Sequence, residues 1–202
     1  MPLWLDGEPL VLASRSKARQ SLLANAGIPI EVVPADLDER GLEAGINSTA
    51  PGAIAAHLAR AKASAIAEAL PGRLTLGADQ VLALGVECFA KPADRAAARA
   101  QLRALCGRTH ELHCAIAFVR DARVLFEYVG VARLAMRSFS ERFLDLYLDA
   151  VGEAATASVG GYQLEGLGVQ LFERVDGDYF TVLGLPLLQA LDFLRREGCL
   201  AR

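Results

Sequence analysis

The sequence predicts an α/β protein built on a mixed, strongly twisted sheet flanked by helices, with a cleft between two lobes. Three observations carry this. Apolar runs of strand length and stretches of helical periodicity follow one another without strict alternation. Two long β-rich runs, 111–119 and 124–136, stand back to back around a turn at Asp121 and Ala122, so they should pair antiparallel. Two alanine-rich stretches, 51–70 and 93–105, have helical spacing and end at Pro71-Gly72 and Gly107.

Taken in order, Leu10 to Ala13 form a short apolar strand, and Ser14, Arg15 and Ser16 lead into a helix from Lys17 to Ala26 that Gly27 and Pro29 terminate. Ile30 to Pro34 give a second strand, followed by an acidic turn with Asp36, Asp38 and Glu39 and a mobile loop from Gly41 to Thr49. Pro51 suits the first turn of a long helix whose packing face is Ile54, Leu58, Ala61 and Ala65. Leu74 to Ala78 form a buried strand that ends at Asp79, and Val81 to Phe89 fold back around Gly85. Ser138 and Glu141 make a capping box for a helix through Leu148. A glycine-rich connection from Gly160 to Gly168, a strand from Val169 to Val175, a turn at Asp176-Gly177 and a helix from Pro186 to Arg196 complete the chain.

With 202 residues, 53% hydrophobic and 22% charged, the chain is long enough to bury a sizeable core and falls in the ordinary globular class. A net charge of −3 gives no drive toward polymeric nucleic acid or anionic lipid, though a local basic pocket can still hold phosphates. The N-terminus lacks the order of a signal peptide and no charge-free apolar run reaches the ~18 residues that span a bilayer, so the expected location is the cytoplasm, with no membrane partner. The four cysteines, Cys88, Cys106, Cys114 and Cys199, show no C-x-x-C pair and are expected as small core residues. His57, His110 and His113 lack metalloprotease spacing and are given no ligand role.

Two groups of residues could carry chemistry. The run Ser14-Arg15-Ser16-Lys17-Ala18-Arg19 places two hydroxyls, three cations and the free N–H groups of a helix start within one turn, which suits an anion; simple capping by Ser14 or Ser16 is the competing role. Asp79 lies where open α/β sheets bind ligands, and Asp36, Asp38 and Glu39 supply hard oxygens that could join it around Mg²⁺ or Mn²⁺. Lys62 and Lys91 could neutralise phosphate charge, or be exposed lysines. No Walker motif is present, so the set points to metal-assisted phosphate hydrolysis outside the P-loop class.

The order of these motifs resembles the Maf family. The match rests on Leu-Ala-Ser-Arg-Ser-Lys-Ala-Arg at 12–19, Asp-Leu-Asp-Glu at 36–39, Ala-Arg-Ala-Lys-Ala at 59–63, Gly-Ala-Asp-Gln at 77–80, Lys91-Pro92, and a C-terminal block of Gly161-Tyr162, Gly177-Asp178-Tyr179 and Gly184-Leu185-Pro186-Leu187. The resemblance implies a single Maf-like domain over 1–202, an ITPase-like two-lobed fold around a nucleotide-binding cleft, and metal-dependent hydrolysis of a nucleoside triphosphate to monophosphate and pyrophosphate, as house-cleaning of nucleotide pools. It implies that Asp79 is the general base. Ser14, Ser16 and Arg19 would grip the triphosphate, Asp38 or Glu39 with Asp79 would hold the metal, and Lys62 and Lys91 would offset developing charge. A homodimer is what the resemblance suggests.

Two features bear on the base. Lys17-Ala18 stands where many members have Pro-Arg or Pro-Trp, which removes a stacking side chain. Gln80 and Glu165 stand where the branch acting on dTTP and UTP typically has Thr and Gln, so the chain looks closer to the 7-methyl-GTP branch. A carboxylate at Glu165 can accept from both N1–H and the 2-amino group of guanine. The alternatives are a dTTP/UTP pyrophosphatase of the same family, or a non-catalytic nucleotide-binding regulator, given the family's association with septum formation.

Overall fold

The structure, a computed structural model, describes residues 3–46 and 48–202. Strand β1 (Leu10–Leu12) is buried on both faces, as a short parallel strand inside a sheet must be, and it pairs in parallel with β2 (Ile30–Val32) and β3 (Thr75–Leu84). Helix α1 (Lys17–Asn25) connects β1 to β2. Helices α2 (Glu39–Ala44) and α3 (Pro51–Ala69) connect β2 to β3. The rest of the sheet is antiparallel: β4 (Glu87–Phe89) folds back on β3 through Gly85, and β5 (Thr109–Arg120), β6 (Arg123–Met136) and β7 (Phe172–Asp176) follow. The order is β2-β1-β3-β5-β6-β7, with β4 beside the end of β3, so the expected mixed sheet is seven-stranded. Helix α4 (Arg95–Leu105) precedes β5, α5 (Glu141–Val151) follows β6, and α6 (Tyr179–Val182) and α7 (Leu187–Arg196) follow β7. Among the described residues no helix is long and apolar enough to cross a membrane.

Side-chain alternation along β3 divides the core. Leu76 and Ala78 point to one apolar mass with Leu12, Ile116, Phe118, Phe193 and Leu194, which α1 and α7 close. Leu82 and Leu84, on the same face but further along, point to a second mass with Leu102, Leu112, Leu134, Leu144 and Leu148, which α4 and α5 close. The opposite face carries Val81 with Ala115, Ala117 and Val119 beneath the alanines of α3. These two masses lie side by side on one face of the sheet, and Gln80 falls between them.

Several expectations are corrected. Asp79 does not end a strand. It sits mid-way along β3, because β5 pairs continuously from Thr75 to Ala83 and Lys62 satisfies the carboxylate there. The loop expected from Gly41 begins with α2, capped by Asp38; Asn47, in the same stretch, lies outside the described residues. The packing face of α3 is Ala55, Leu58, Ala59, Lys62, Ala63, Ile66 and Ala67, about one residue round from the expected stripe, because alanines let the helix lie close against the sheet. Ser140, not Ser138, caps α5: its Oγ accepts from Phe143 N at 3.2 Å, which makes Glu141 the first helical residue. β7 starts at Phe172, since 167–171 wind into a 3₁₀ turn. Cys88 is exposed and Cys106 half-buried, while Cys114 and Cys199 are in the core.

Candidate active site

The site forms at a gap in the sheet. β1 stops pairing with β3 at Leu76, and β4 takes up the same edge only at Leu82. From Gly77 to Val81 that edge has no strand neighbour, and irregular chain and side chains close in on it. Gly77 brings α3 down beside the gap: a methyl at this position would lie 2.1 Å from Ala59 O and 2.7 Å from Ala63 N. The close approach sets Lys62 above Asp79.

Asp79 is 8% exposed and Lys62 9%. Lys62 Nζ donates to Asp79 Oδ1 at 2.6 Å and lies 2.9 Å from Glu39 Oε1, so one ammonium joins two carboxylates from three separate elements. Buried charges of this kind persist where they are paired and hydrogen-bonded. The triad carries one net negative charge, and Glu39, about half exposed, forms its open side.

Arg19, expected to grip phosphate, is built into the frame of the gap. Its Nε donates to Gly184 O at 2.7 Å, and its Nη1 to Ala78 O at 2.8 Å and to Ser14 Oγ at 3.0 Å. Nη2 has no protein acceptor among the described residues. Ser16 caps α1, accepting from Arg19 N at 3.4 Å, and its own N–H donates to Ser14 Oγ at 3.3 Å. The 14–19 segment thus performs the capping role and also turns the N-terminus of α1 toward β3. Gln80 points to the other face from Asp79. Its Nε2 donates to Thr181 O at 3.0 Å and to Val182 O at 3.2 Å, tying α6 to β3.

Asp38 Oδ1 accepts from Gly41 N at 3.1 Å as the cap of α2. Lys91 follows β4 and Glu165 lies in the connection after Gly161; both are exposed, and neither forms an ion pair among the described residues. Lys62, Asp79 and Glu39 are brought together, whereas Lys91, Glu165 and Asp38 are not in contact with them. Two contributors carry no side-chain chemistry of their own, Gly77 and Gly184. A glycine inside a strand pattern signals a close backbone approach, which identifies Gly77. Gly184, at φ 98°, carries the carbonyl that holds Arg19, and nothing in the sequence shows that contact.

The donor set suits a hard cation. Among the described residues no group of three or more His, Cys, Asp or Glu converges as a metal cluster. Asp79 and Glu39 are the two carboxylates paired with Lys62 at the open site, and they are the residues that could hold a hard cation such as Mg²⁺.

The chain is similar over nearly its whole length to several known proteins. A nucleoside triphosphate pyrophosphatase of Rhodopseudomonas palustris (strain BisB18) is 57% identical over 201 residues, covering 100% of both chains. Another, from strain ATCC BAA-98 / CGA009, is 58% identical over the same length. A 7-methyl-GTP pyrophosphatase of Mesorhizobium japonicum is 50% identical over 195 residues, covering 96% of this chain and 98% of its own. Among solved structures, a HAM1 protein from Coxiella burnetii gives a TM-score of 0.39 at 19% identity, over 63% of this chain and 72% of that one, a likeness too partial to carry weight. The family model for Maf-like proteins matches residues 9–197, and the chain belongs to that family.

Proposed function

We propose that this protein hydrolyses nucleoside triphosphates to the monophosphate and pyrophosphate, with Asp79 as general base and a divalent cation, Mg²⁺ or Mn²⁺, held by Asp79 and Glu39. The observation that carries the proposal is the Glu39–Lys62–Asp79 ion triad at the unpaired edge of β3, beside the N-terminus of α1. Asp79 gives one oxygen to Lys62, and the other has no protein hydrogen bond among the described residues, so it is available to a water. Lys62 keeps the carboxylate oriented and supplies positive charge where negative charge builds during attack on the α-phosphate. The N–H groups at the start of α1 and the remaining Arg19 Nη2 are donors for phosphate oxygens. When bound, the cation would polarise phosphate oxygens and lower the pKa of attacking water. Lys91, exposed in the segment after β4, is the further cation we assign to the triphosphate, from its place in the Lys91-Pro92 motif.

For the base, we favour guanine. Glu165 can accept two hydrogen bonds from guanine, which thymine and uracil with one ring N–H cannot match. The relative from M. japonicum, named for 7-methyl-GTP, supports the same direction.

Pyrophosphate release with Mn²⁺, measured across 7-methyl-GTP, GTP, dTTP, UTP and CTP, tests both statements. The expected result is turnover fastest on the guanine nucleotides, reduced toward the pyrimidine rates in Glu165→Gln. Asp79→Asn should lower kcat about a thousandfold with its circular dichroism unchanged. Undiminished turnover in Asp79→Asn would remove Asp79 from the reaction, and a preference for dTTP or UTP would overturn the guanine assignment.

A further inference from the structure

The ion triad depends on a carboxylate, Glu39, that sits on a helix of six residues. Helices this short do not form on propensity alone, so something local must hold α2 in place. Asp38 does so from the preceding position. Its Oδ1 accepts the Gly41 N–H at 3.1 Å, and its backbone carbonyl accepts from Leu42 N at 3.0 Å. Gly41 is shaped for the contact: a methyl there would lie 2.5 Å from Asp38 Oδ2 and 3.0 Å from its Cγ. The carboxylate of Asp38 therefore folds back over the start of α2. Its neighbour Glu39, one residue on, reaches the other way to Lys62 Nζ at 2.9 Å. Two adjacent acidic residues thus diverge, one to the helix backbone and one to the triad.

We propose that Asp38 is a positioning residue, which acts on the reaction only through Glu39 by capping α2 and does not itself hold the metal. The proposal rests on the pyrophosphatase reading of the triad. Serine distinguishes the two roles, because it is a good helix cap and, being uncharged, a poor substitute for a carboxylate ligand.

The test uses the full chain with Asp38→Ala, Asp38→Ser and the double variant Asp38→Ala/Glu39→Gln, beside Glu39→Gln alone. For each, kcat/KM, the Mn²⁺ concentration at half-maximal rate, and amide exchange across 37–46 are measured. Asp38→Ala should lose about fivefold in kcat/KM, the scale of a lost cap, with faster exchange in α2. Asp38→Ser should restore the rate, the Mn²⁺ midpoint and the slow exchange together. The double variant should be no slower than Glu39→Gln. If Asp38→Ser is as impaired as Asp38→Ala and needs as much extra Mn²⁺, Asp38 is a ligand and the proposal is overturned. Should the unaltered chain release no pyrophosphate from any nucleotide, the pyrophosphatase reading fails instead. Exchange in α2 then decides the capping role alone: slow in Asp38→Ser and fast in Asp38→Ala upholds it, and no difference between them refutes it.

Discussion

His110 occupies the far core, 1% exposed, between the rings of Tyr162 and Phe172. Its Nε2 lies 2.7 Å from the Tyr162 hydroxyl, and its Nδ1 has no partner among the described residues. A proton added to this ring would create a buried N–H with nothing to accept it, and burial pushes the imidazole down from 6.5 to about 4. The sign follows from linkage. The unfolded chain takes up a proton as pH falls through 6.5 while the folded one does not until about 4, so the contribution of His110 to stability is whole above 6.5 and is lost on the way down to about 4. Urea unfolding at pH 7 and pH 4.5 should therefore show wild type losing more stability than His110→Phe, by up to about 3 kcal/mol; equal losses would mean the ring is already protonated in the fold. Lys62 was only partly legible in the sequence: on a helix of alanines a lysine looks solvated, and only the approach of α3 to Gly77 puts its ammonium between two acids. Glu39 could be named because adjacent acidic residues were visible, but which of Asp38 and Glu39 faces the triad depends on where α2 starts, and no spacing rule fixes that.

Among the elements, the contact of α3 with β3 governs the site. Gly77 faces Ala59 O and Ala63 N, which are backbone atoms and cannot swing aside. Gly77→Ala must push the helix outward, costing about 3 kcal/mol in stability, at the upper end of overpacking effects. It must also draw Lys62 away from Asp79. Urea unfolding and pyrophosphate release on the same variant measure the two consequences, and retention of both stability and rate would show that α3 does not set the triad. The strands and long helices were legible in the sequence because each follows one periodicity over many residues. The misplacements fall where periodicity says little: α2 and α6 have six and four residues, and their starts are fixed by single side-chain caps from Asp38 and Asp178. The continuation of β3 through Asp79 is hard to read in the sequence for a related reason. An aspartate ordinarily breaks a strand, and here its partner comes from seventeen residues upstream.

For the whole molecule, the mixed sheet could be anticipated from element order, but not the gap at β3, since strand pairing across the sheet is a long-range property. That gap separates folding from chemistry. The core masses close on apolar side chains, and among the described residues no metal cluster contributes to any of them. A cation held, as proposed, at the open site by two carboxylates and substrate would belong to the liganded state and not to the fold. At concentrations near its dissociation constant such an ion stabilises by less than about 1 kcal/mol, which for a chain of this size moves Tm by about 2–4 °C at most. Chelation should accordingly abolish pyrophosphate release while leaving the melting curve within that range, and added Mn²⁺ should restore the full rate without refolding. A collapse of Tm on chelation would show that the metal is structural and sits elsewhere. Undiminished turnover in excess chelator would instead leave Lys62 and Arg19 as the cations that balance the triphosphate, and the roles of Asp79 and Glu39 as ligands would fall.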